Sequence, residues 1–416
     1  MTALQTRAEP PAATATTAPL SSYARDYLRR ISGGELGALP ALLGIVTLCV
    51  VFTIADPIFF SAANFANVLT QGAAVTVIAM GLIFVLLLGE IDLSAGFTSG
   101  VCAAVLATAL ANWGVPWYVA VLAALATGTL IGTVLGTLVA KIGIPSFVVT
   151  LAAFLAFQGV VLLLIEGGTI ISITDPVIWA IANRNLPPWL GWLLYVVSVV
   201  LYAAVQLGRR RGRSRRGLAR DPMSLILLRI GVLAVGAGAA VYVLNLDRGR
   251  AITIQGVPIV VPLIVLLLVL LTFVLRRTAY GLHLYAVGGN REAALRAGIS
   301  VDRIRISAFM VCSTMAAVGG IIAGSRAASV DANTGGSNVL LYAVGAAVIG
   351  GTSLFGGKGR ILDAVLGGAV VAIIDNGMGL LGLTSGVRFI LTGSVLLLAA
   401  GVDALSRRRA AHVGLR

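Results

Sequence analysis

The chain has 416 residues, of which 58% are apolar and only 11% are charged. Soluble domains carry about a quarter charged residues, so this chain has too little polar side chain to cover a soluble globule. That composition excludes a water-soluble enzyme, a nucleic-acid-binding domain and a disordered chain. The net charge of +14 comes from basic clusters between long apolar stretches, a pattern typical of membrane proteins and not of a nucleic-acid partner.

In chain order, residues 1–38 mix Pro, Ala and Thr with scattered charges. No apolar region precedes a cleavage site, so we expect a disordered cytoplasmic tail and not a signal peptide. Residues 39–404 form one predicted transmembrane domain, and residues 405–416 form a second cytoplasmic tail.

Twelve apolar stretches approach the roughly 20 residues that a spanning helix needs. The sequence therefore predicts an all-α polytopic membrane protein with about 10–12 transmembrane helices. The stretches at 95–112 and 339–355 are short and rich in Gly and Ser, which favours broken or re-entrant helices. The stretches are 39–58, 66–89, 95–112, 116–140, 144–165, 188–207, 223–246, 257–275, 306–325, 339–355, 361–380 and 387–404.

The basic residues predict the orientation of these helices. If the N-terminus is cytoplasmic, the cytoplasmic segments hold 24 of the 30 basic residues. Cytoplasmic loops carry such an excess of Lys and Arg, so both termini are expected inside. The segments are 1–38, 89–95, 141–143, 208–222, 276–305, 356–360 and 405–416.

Two glycine-rich breaks interrupt the apolar pattern, at residues 89–96 and 350–359. In each break a glycine recurs after seven residues, at 89 and 96 and at 350 and 357. Corresponding breaks in two halves of a transporter indicate a substrate pathway built on an internal repeat. The candidate pathway or gating residues in the breaks are Glu90, Asp92, Ser94, Gly96, Gly350, Gly351, Thr352 and Ser353.

Carboxylates within the apolar region are costly and count as functional candidates. Glu90 and Asp92 fit this description, but they could equally be solvated, and Asp92 or Ser94 could cap the next helix. Asp375 and Asn376, inside the eleventh stretch, are expected to face the helix bundle or the pathway.

Catalytic chemistry has little support. The two histidines, His283 and His412, cannot assemble a metal site or a triad. The segment before Lys358 resembles a phosphate loop, but Thr352 stands where that motif needs Gly, and Gly359 stands where it needs Ser or Thr. We expect no ATP binding by this chain, no metal and no cofactor.

The segment 276–305 contains a predicted short amphipathic helix. Asn290 is suited to cap it, Glu292 suits its first turn and Gly298 suits its end. A cytoplasmic helix of this kind could dock another protein, and a plain interfacial loop is the alternative.

Residues 286–299 resemble the coupling loop of sugar permeases of the ATP-binding-cassette importers, the ribose, xylose and arabinose permeases related to branched-chain amino-acid permeases. Residues 91–96 are similar to their IDLSVG motif, with Ala95 in place of Val, and residues 348–357 resemble their VIGGTSLFGG motif. The resemblance implies coupling residues at Gly288, Gly289, Asn290, Glu292, Ala293, Ala294 and Gly298.

The same resemblance implies a permease subunit that imports a monosaccharide by alternating access across a bacterial inner membrane. Its implied partners are a second permease chain in a homodimer, two ATP-hydrolysing subunits and a periplasmic sugar-binding protein. An extra pair of helices near 188–246, as in D-xylose permeases, makes a pentose such as D-xylose the first expectation. The arginines between those two helices anchor the topology and could touch anionic membrane lipid.

Two other classes stay open. A proton-coupled secondary sugar transporter would need an intramembrane proton relay and a basic loop at residues 89–95, which hold acids and no base. A membrane-embedded enzyme would need a catalytic constellation that the sequence does not offer.

Overall fold

The structure is a computed structural model that describes residues 37–165, 169–215, 222–249 and 252–412. The predicted N-terminal tail therefore lies outside the described residues, except for positions 37 and 38. At the other end, residues 405–412 continue the last helix.

The described part is built from sixteen α-helices, and its only strands pair Ile171–Ser172 (β1) with Ser329–Val330 (β2) in antiparallel. The helices are α1 (Leu39–Ala55), α2 (Ala62–Gln71), α3 (Ala73–Leu87), α4 (Ala95–Ala111), α5 (Trp117–Thr137), α6 (Ser146–Leu164), α7 (Pro176–Asn183), α8 (Pro188–Arg215), α9 (Met223–Asn245), α10 (Val260–Arg277), α11 (Ala279–Gly289), α12 (Arg291–Arg296), α13 (Val301–Ala327), α14 (Ser337–Ile349), α15 (Ile361–Leu380) and α16 (Ser385–His412).

Each of the twelve apolar stretches coincides with a helix, which confirms the all-α membrane fold class. Seven helices of the described part are long and apolar enough to cross a membrane, and α2 with α3, bent by 41°, would make an eighth. The helices α1, α4 and α14 are shorter. The 10–12 helices expected from the sequence thus include some that are too short to span alone.

The centre of the fold is α13, which packs against α3, α4 and α5. Gly128, Gly132 and Gly136 are buried on the α13 side of α5. A Cβ atom at Gly128 would lie 2.7 Å from the Ser313 carbonyl oxygen, and one at Gly132 would overlap the Phe309 carbonyl oxygen. The glycine ridge therefore lets the two backbones approach closely, as small residues do in membrane helix pairs.

A peripheral hairpin is formed by α8 and α9, the extra pair expected from the sequence. Only 6% of the most apolar stretch of each helix is buried, against 61% for α13 and 72% for α15. These two helices pack mainly on each other and touch α2. They form an addition to the compact bundle.

The short helix α7 was not expected from the sequence, although Asp175 followed by Pro176 is a typical helix start. The Asp175 side chain accepts hydrogen bonds from the backbone N–H groups of Val177 and Ile178. Ser325 near the end of α13 accepts from the Ala182 N–H at 3.0 Å. With the β1–β2 pair, these contacts fix α7 to the end of the central helix.

Candidate functional site

The segment predicted to couple the chain to a partner folds as two ordered helices, α11 and α12. The Asn290 side chain accepts a hydrogen bond from the Ala293 N–H at 3.0 Å, which confirms the predicted cap. Gly298 has a φ of +79°, and the Ile299 N–H donates to the Ala294 carbonyl at 3.1 Å, so the helix ends where glycine was expected to end it.

One face of α12 is free to meet another protein. The side chains of Glu292 and Arg296 are 84% and 85% exposed, and Leu295 is also exposed, while Ala294 is buried against the bundle. Leu282 on α11 is exposed nearby in the chain. An exposed helix with apolar and charged side chains, anchored by a buried residue beneath it, is suited to docking.

Behind this face, three chain segments meet backbone to backbone. We call them the coupling junction: residues 87–89, Gly288 and residues 356–357. The Gly357 N–H donates to the Leu87 carbonyl at 2.8 Å. A Cβ atom at Gly288 would overlap that same carbonyl oxygen, and one at Gly356 would lie 2.9 Å from the Gly89 nitrogen. The end of α11 therefore contacts the second glycine-rich break and the end of α3, which directly precedes the first break.

A side chain from α11 adds to this junction. The Tyr285 hydroxyl donates to the Gly359 carbonyl at 2.7 Å. Burial raises the pKa of this phenol, so it keeps its proton and stays a donor at neutral pH. Gly289, in contrast, has open space where a Cβ atom would stand. Of these two neighbouring glycines, only Gly288 is required by close packing.

Glu90 follows the junction and forms an ion pair with Arg305 of α13. Both side chains are largely buried, with 18% and 11% exposure. The sequence singled out Glu90 but not Arg305, because the two residues lie 215 positions apart in the chain. This pair ties the first break to the start of the central helix.

Asp92 is fully buried and organises the start of α4. Its Oδ1 accepts hydrogen bonds from the Ser94 N–H at 2.9 Å and the Ser94 hydroxyl at 2.6 Å. Ser94 occupies the cap position, but its side chain makes no capping bond, so Asp92 is the residue that binds the backbone there. The Cys312 side chain lies against the same carboxylate.

The contact with Cys312 shows that α4 begins inside the protein. Cys312 lies seven residues beyond Arg305 on α13, which is roughly 10 Å along the helix axis. Gly96 also packs against the loop before α14, where a Cβ atom would lie 2.8 Å from the Gly335 carbonyl oxygen. Both short helices, α4 and α14, therefore start within the bundle, as expected for interrupted helices at a pathway.

Asp363, in the first turn of α15, hydrogen-bonds to a residue of the second break and to Arg360, which directly follows it. The sequence did not single out Asp363. The Arg360 guanidinium donates to its Oδ1 at 2.8 Å, and the Arg360 N–H donates to its Oδ2 at 2.8 Å. The buried Thr352 hydroxyl reaches Oδ2 at 3.4 Å. An acid three residues after the helix start is a capping signal that could have identified it.

Backbone contacts complete the second break. A Cβ atom at Gly350 would overlap the Asp363 carbonyl oxygen, and Gly351 has a φ of +114°. The Ser353 N–H donates to the Lys358 carbonyl at 2.9 Å. Glycine is therefore needed at Gly350 for close approach and at Gly351 for conformation.

Asp375 and Asn376 lie apart from the coupling junction, further along α15. Asp375 accepts a hydrogen bond from the Gln71 side-chain amide, and Asn376 accepts one from Asn64 at 2.9 Å. As predicted, both residues face the bundle. Their partners on α2 were not predicted, since more than 300 residues separate them in the chain.

Interrupted helices beneath an exposed short helix, in an all-α membrane protein, are typical of transport permeases. Residues 64–400 match the family described as branched-chain amino acid transport system / permease component, and the chain belongs to this family. No solved structure matches the chain.

Individual relatives fall within the same class. The chain is 34% identical to the xylose transport system permease protein of Escherichia coli strain K12, over 88% of this chain and 92% of that protein. It is 32% identical to the xylose permease of Haemophilus influenzae, over 88% and 96%. It is 30% identical to the ribose import permease protein of Escherichia coli strain K12, over 87% and 92%.

Proposed function

We propose that this chain is the permease subunit of an ATP-driven importer that moves a monosaccharide into the cytoplasm by alternating access. The observation that carries the proposal is the coupling junction, where Gly288 packs against the second break and against Leu87, two residues before the first break. The similarity to xylose and ribose permeases supports a sugar as the substrate.

In this mechanism the ATP is hydrolysed by separate partner subunits that dock on the exposed face of α12. Their closure on binding ATP displaces α11, and the tight contact of Gly288 with Leu87 and Gly356 transmits that displacement to both breaks. Packed interfaces of this kind switch between discrete arrangements instead of deforming gradually. The two interrupted helices α4 and α14 then change which side of the pathway is open.

We propose the assembly implied by the family: two copies of this chain, two ATP-hydrolysing subunits and a periplasmic sugar-binding protein, in a bacterial inner membrane. The excess of basic residues in one set of loops supports an orientation with both termini in the cytoplasm. The hairpin of α8 and α9, together with the xylose permease similarity, supports D-xylose as the first substrate to test.

The variant Glu292→Arg tests the docking surface. Within the described part of the chain, Glu292 pairs only with Arg296, at 3.8 Å on an exposed helix, so its loss should cost the fold well under 1 kcal/mol. Insertion and thermal stability should therefore stay normal, while ATP-driven uptake of labelled sugar is abolished because the partner subunit meets the wrong charge.

The matched control is Asp302→Arg, which reverses another exposed carboxylate in the first turn of α13. This variant should keep uptake, since α12 provides the docking surface. Wild-type uptake by Glu292→Arg would overturn the assignment of α12. Sugar uptake driven by a proton gradient without ATP would overturn the importer itself in favour of a secondary transporter.

A further inference from the structure

A second polar site lies within the bundle, apart from the coupling junction. We call it the outer polar cluster, and it consists of Asn64, Gln71, Arg326, Tyr342, Asp375 and Asn376. These residues come from four different helices, α2, α13, α14 and α15. The Arg326 guanidinium and the Tyr342 phenol each lie within electrostatic range of the Asp375 carboxylate.

The cluster lies far from the coupling junction along the central helices. Arg326 is 21 residues beyond Arg305 on α13, which is roughly 31 Å along the axis. Asp375 is 14 residues beyond Ile361, where α15 starts beside the second break, or roughly 21 Å. The two sites therefore occupy opposite ends of the same two helices.

Two buried amides hold the cluster in a fixed geometry. The Asn64 amide donates to the Phe59 carbonyl at 3.0 Å and to the Asn376 side-chain oxygen at 2.9 Å. The Asn376 amide donates in turn to the Gln71 oxygen at 3.3 Å, and the Gln71 amide donates to Asp375. Each member orients the next, so the Asp375 carboxylate is presented by a connected network.

Asp375 is not fully enclosed by the bundle. Its side chain is only partly buried, although α15 is the most buried of the seven long spans of the described part. A charged side chain in a membrane span faces the bundle interior or a water-filled cavity and avoids lipid. We therefore expect the exposed part of Asp375 to face a water-filled cleft and not lipid. Gln71 and Tyr342 are partly exposed and Arg326 is exposed.

The chemistry of this cleft suits an uncharged solute with many hydroxyl groups. An ionised carboxylate offers about four acceptor sites, and the described hydrogen bond from Gln71 uses one of them. Arg326 offers donors only, and Tyr342 offers a hydroxyl beside an aromatic ring.

We propose that the outer polar cluster is the contact site of the permease for the sugar, with Asp375 accepting a hydrogen bond from a substrate hydroxyl. This inference rests on the proposed function and names the substrate site within it. A site that hydrogen-bonds a hydroxyl rejects an analogue without it, because its own polar groups are left unpaired. The cluster therefore adds a selection by the permease to that of the sugar-binding protein.

The test compares uptake of the parent sugar with a set of analogues that each lack one hydroxyl, in membrane vesicles containing the complete transporter. For one analogue, Asp375→Asn should reduce the wild-type preference for the parent sugar about tenfold, as expected for a hydrogen bond to a charged group. The preferences for the other analogues should stay unchanged. The sugar-binding protein is the same in both arms, so the change belongs to the permease.

A matched control is Asp247→Asn, an exposed carboxylate in the loop after α9 whose asparagine replacement still offers an accepting oxygen. It should leave every preference unchanged. If Asp375→Asn does not reach the membrane, Tyr342→Phe provides the same comparison by removing one hydroxyl from the cleft.

If the wild-type transporter imports sugar and Asp375→Asn keeps the wild-type preference for every analogue, this inference alone is overturned. A wild-type transporter that imports no monosaccharide, or that imports a branched-chain amino acid instead, would overturn the proposed function and this inference with it.

Discussion

Glu90 and Arg305 form the ion pair that fixes the first chain break to the central helix. Both charges are largely buried, so each depends on the other for its compensation. Removing one partner of a buried pair leaves an unpaired charge and costs about 3–5 kcal/mol, whereas replacing both with neutral groups costs much less.

We therefore expect Arg305→Met to lower the free energy of unfolding by about 3 kcal/mol. The double variant Glu90→Gln, Arg305→Met should recover a large part of that loss. Thermal unfolding of the purified chain, arranged as a double-mutant cycle, measures the coupling between the two positions.

The chain offers a matched control in the exposed pair of Glu292 and Arg296, also an Arg with a Glu. Its double-mutant cycle should give a coupling below about 0.5 kcal/mol, as surface pairs do. Additive effects at Glu90 and Arg305 would show that the buried pair does not stabilise the junction.

At this scale the sequence identified the costly groups but not their partners. Glu90, Asp92, Asp375 and Asn376 stood out because polar side chains in an apolar run are expensive. Gln71, which binds Asp375, sits 304 positions earlier at a helix end and has no such signal of its own. Partners this distant in the chain are set by tertiary packing, which local spacing does not encode.

Among the helices, α11 makes a backbone contact that is sensitive to substitution. Gly288 and Gly289 are neighbours with opposite surroundings: a Cβ atom at Gly288 would overlap the Leu87 carbonyl oxygen, while one at Gly289 would meet nothing within 4 Å. The clash is with backbone, so no side-chain rotation can relieve it.

We expect Gly288→Ala to push α11 away from α3 and to lower both the thermal unfolding midpoint and ATP-driven uptake. An overpacked core position typically costs about 1–3 kcal/mol. Gly289→Ala should keep the unfolding midpoint of the wild type. The two variants, measured side by side by thermal unfolding, differ only in which neighbouring glycine gains a methyl group.

If both variants keep the wild-type midpoint, the close approach of α11 to Leu87 is contradicted. If both lose the same amount of stability, the helix itself, and not the contact, is sensitive to the added methyl group.

At the scale of elements, local signals in the sequence were sufficient for most helices and for their ends. Long apolar runs defined the spans, and Asn290 with Gly298 defined α12. What the sequence did not provide was the meeting of three separate segments at the coupling junction. The glycines of those segments stood out in the sequence, but which segments lie opposite one another is set by tertiary packing.

The whole molecule divides into a tightly packed bundle and a hairpin attached at its edge. Helices α13 and α15 are mostly buried and run from the side of the coupling junction to the outer polar cluster, so we expect a shift at one end to reach the other through rigid elements. Helices α8 and α9 bury almost nothing against the bundle. Their apolar surfaces are therefore left to lipid or to another protein in the membrane.

The arginine-rich end of α8 is placed to bind anionic lipid. A helix of 28 residues is roughly 42 Å long, against about 30 Å for the hydrocarbon core, so its last turns reach the headgroup region. Arg209, Arg211 and Arg215 are exposed there. Each basic residue near an anionic surface contributes about 1 kcal/mol of attraction.

We expect the wild-type chain to be more stable in nanodiscs that contain anionic phospholipid than in neutral ones. The triple variant Arg209→Gln, Arg211→Gln, Arg215→Gln should lose most of that difference, because the attraction is electrostatic and local to the end of α8. Arg184→Gln serves as the control, since Arg184 lies over the Trp179 ring at the end of α7 and far along the chain from these arginines. Thermal unfolding in both lipids measures the effect. A triple variant that keeps the full gain from anionic lipid would show that these arginines fix the topology without binding headgroups.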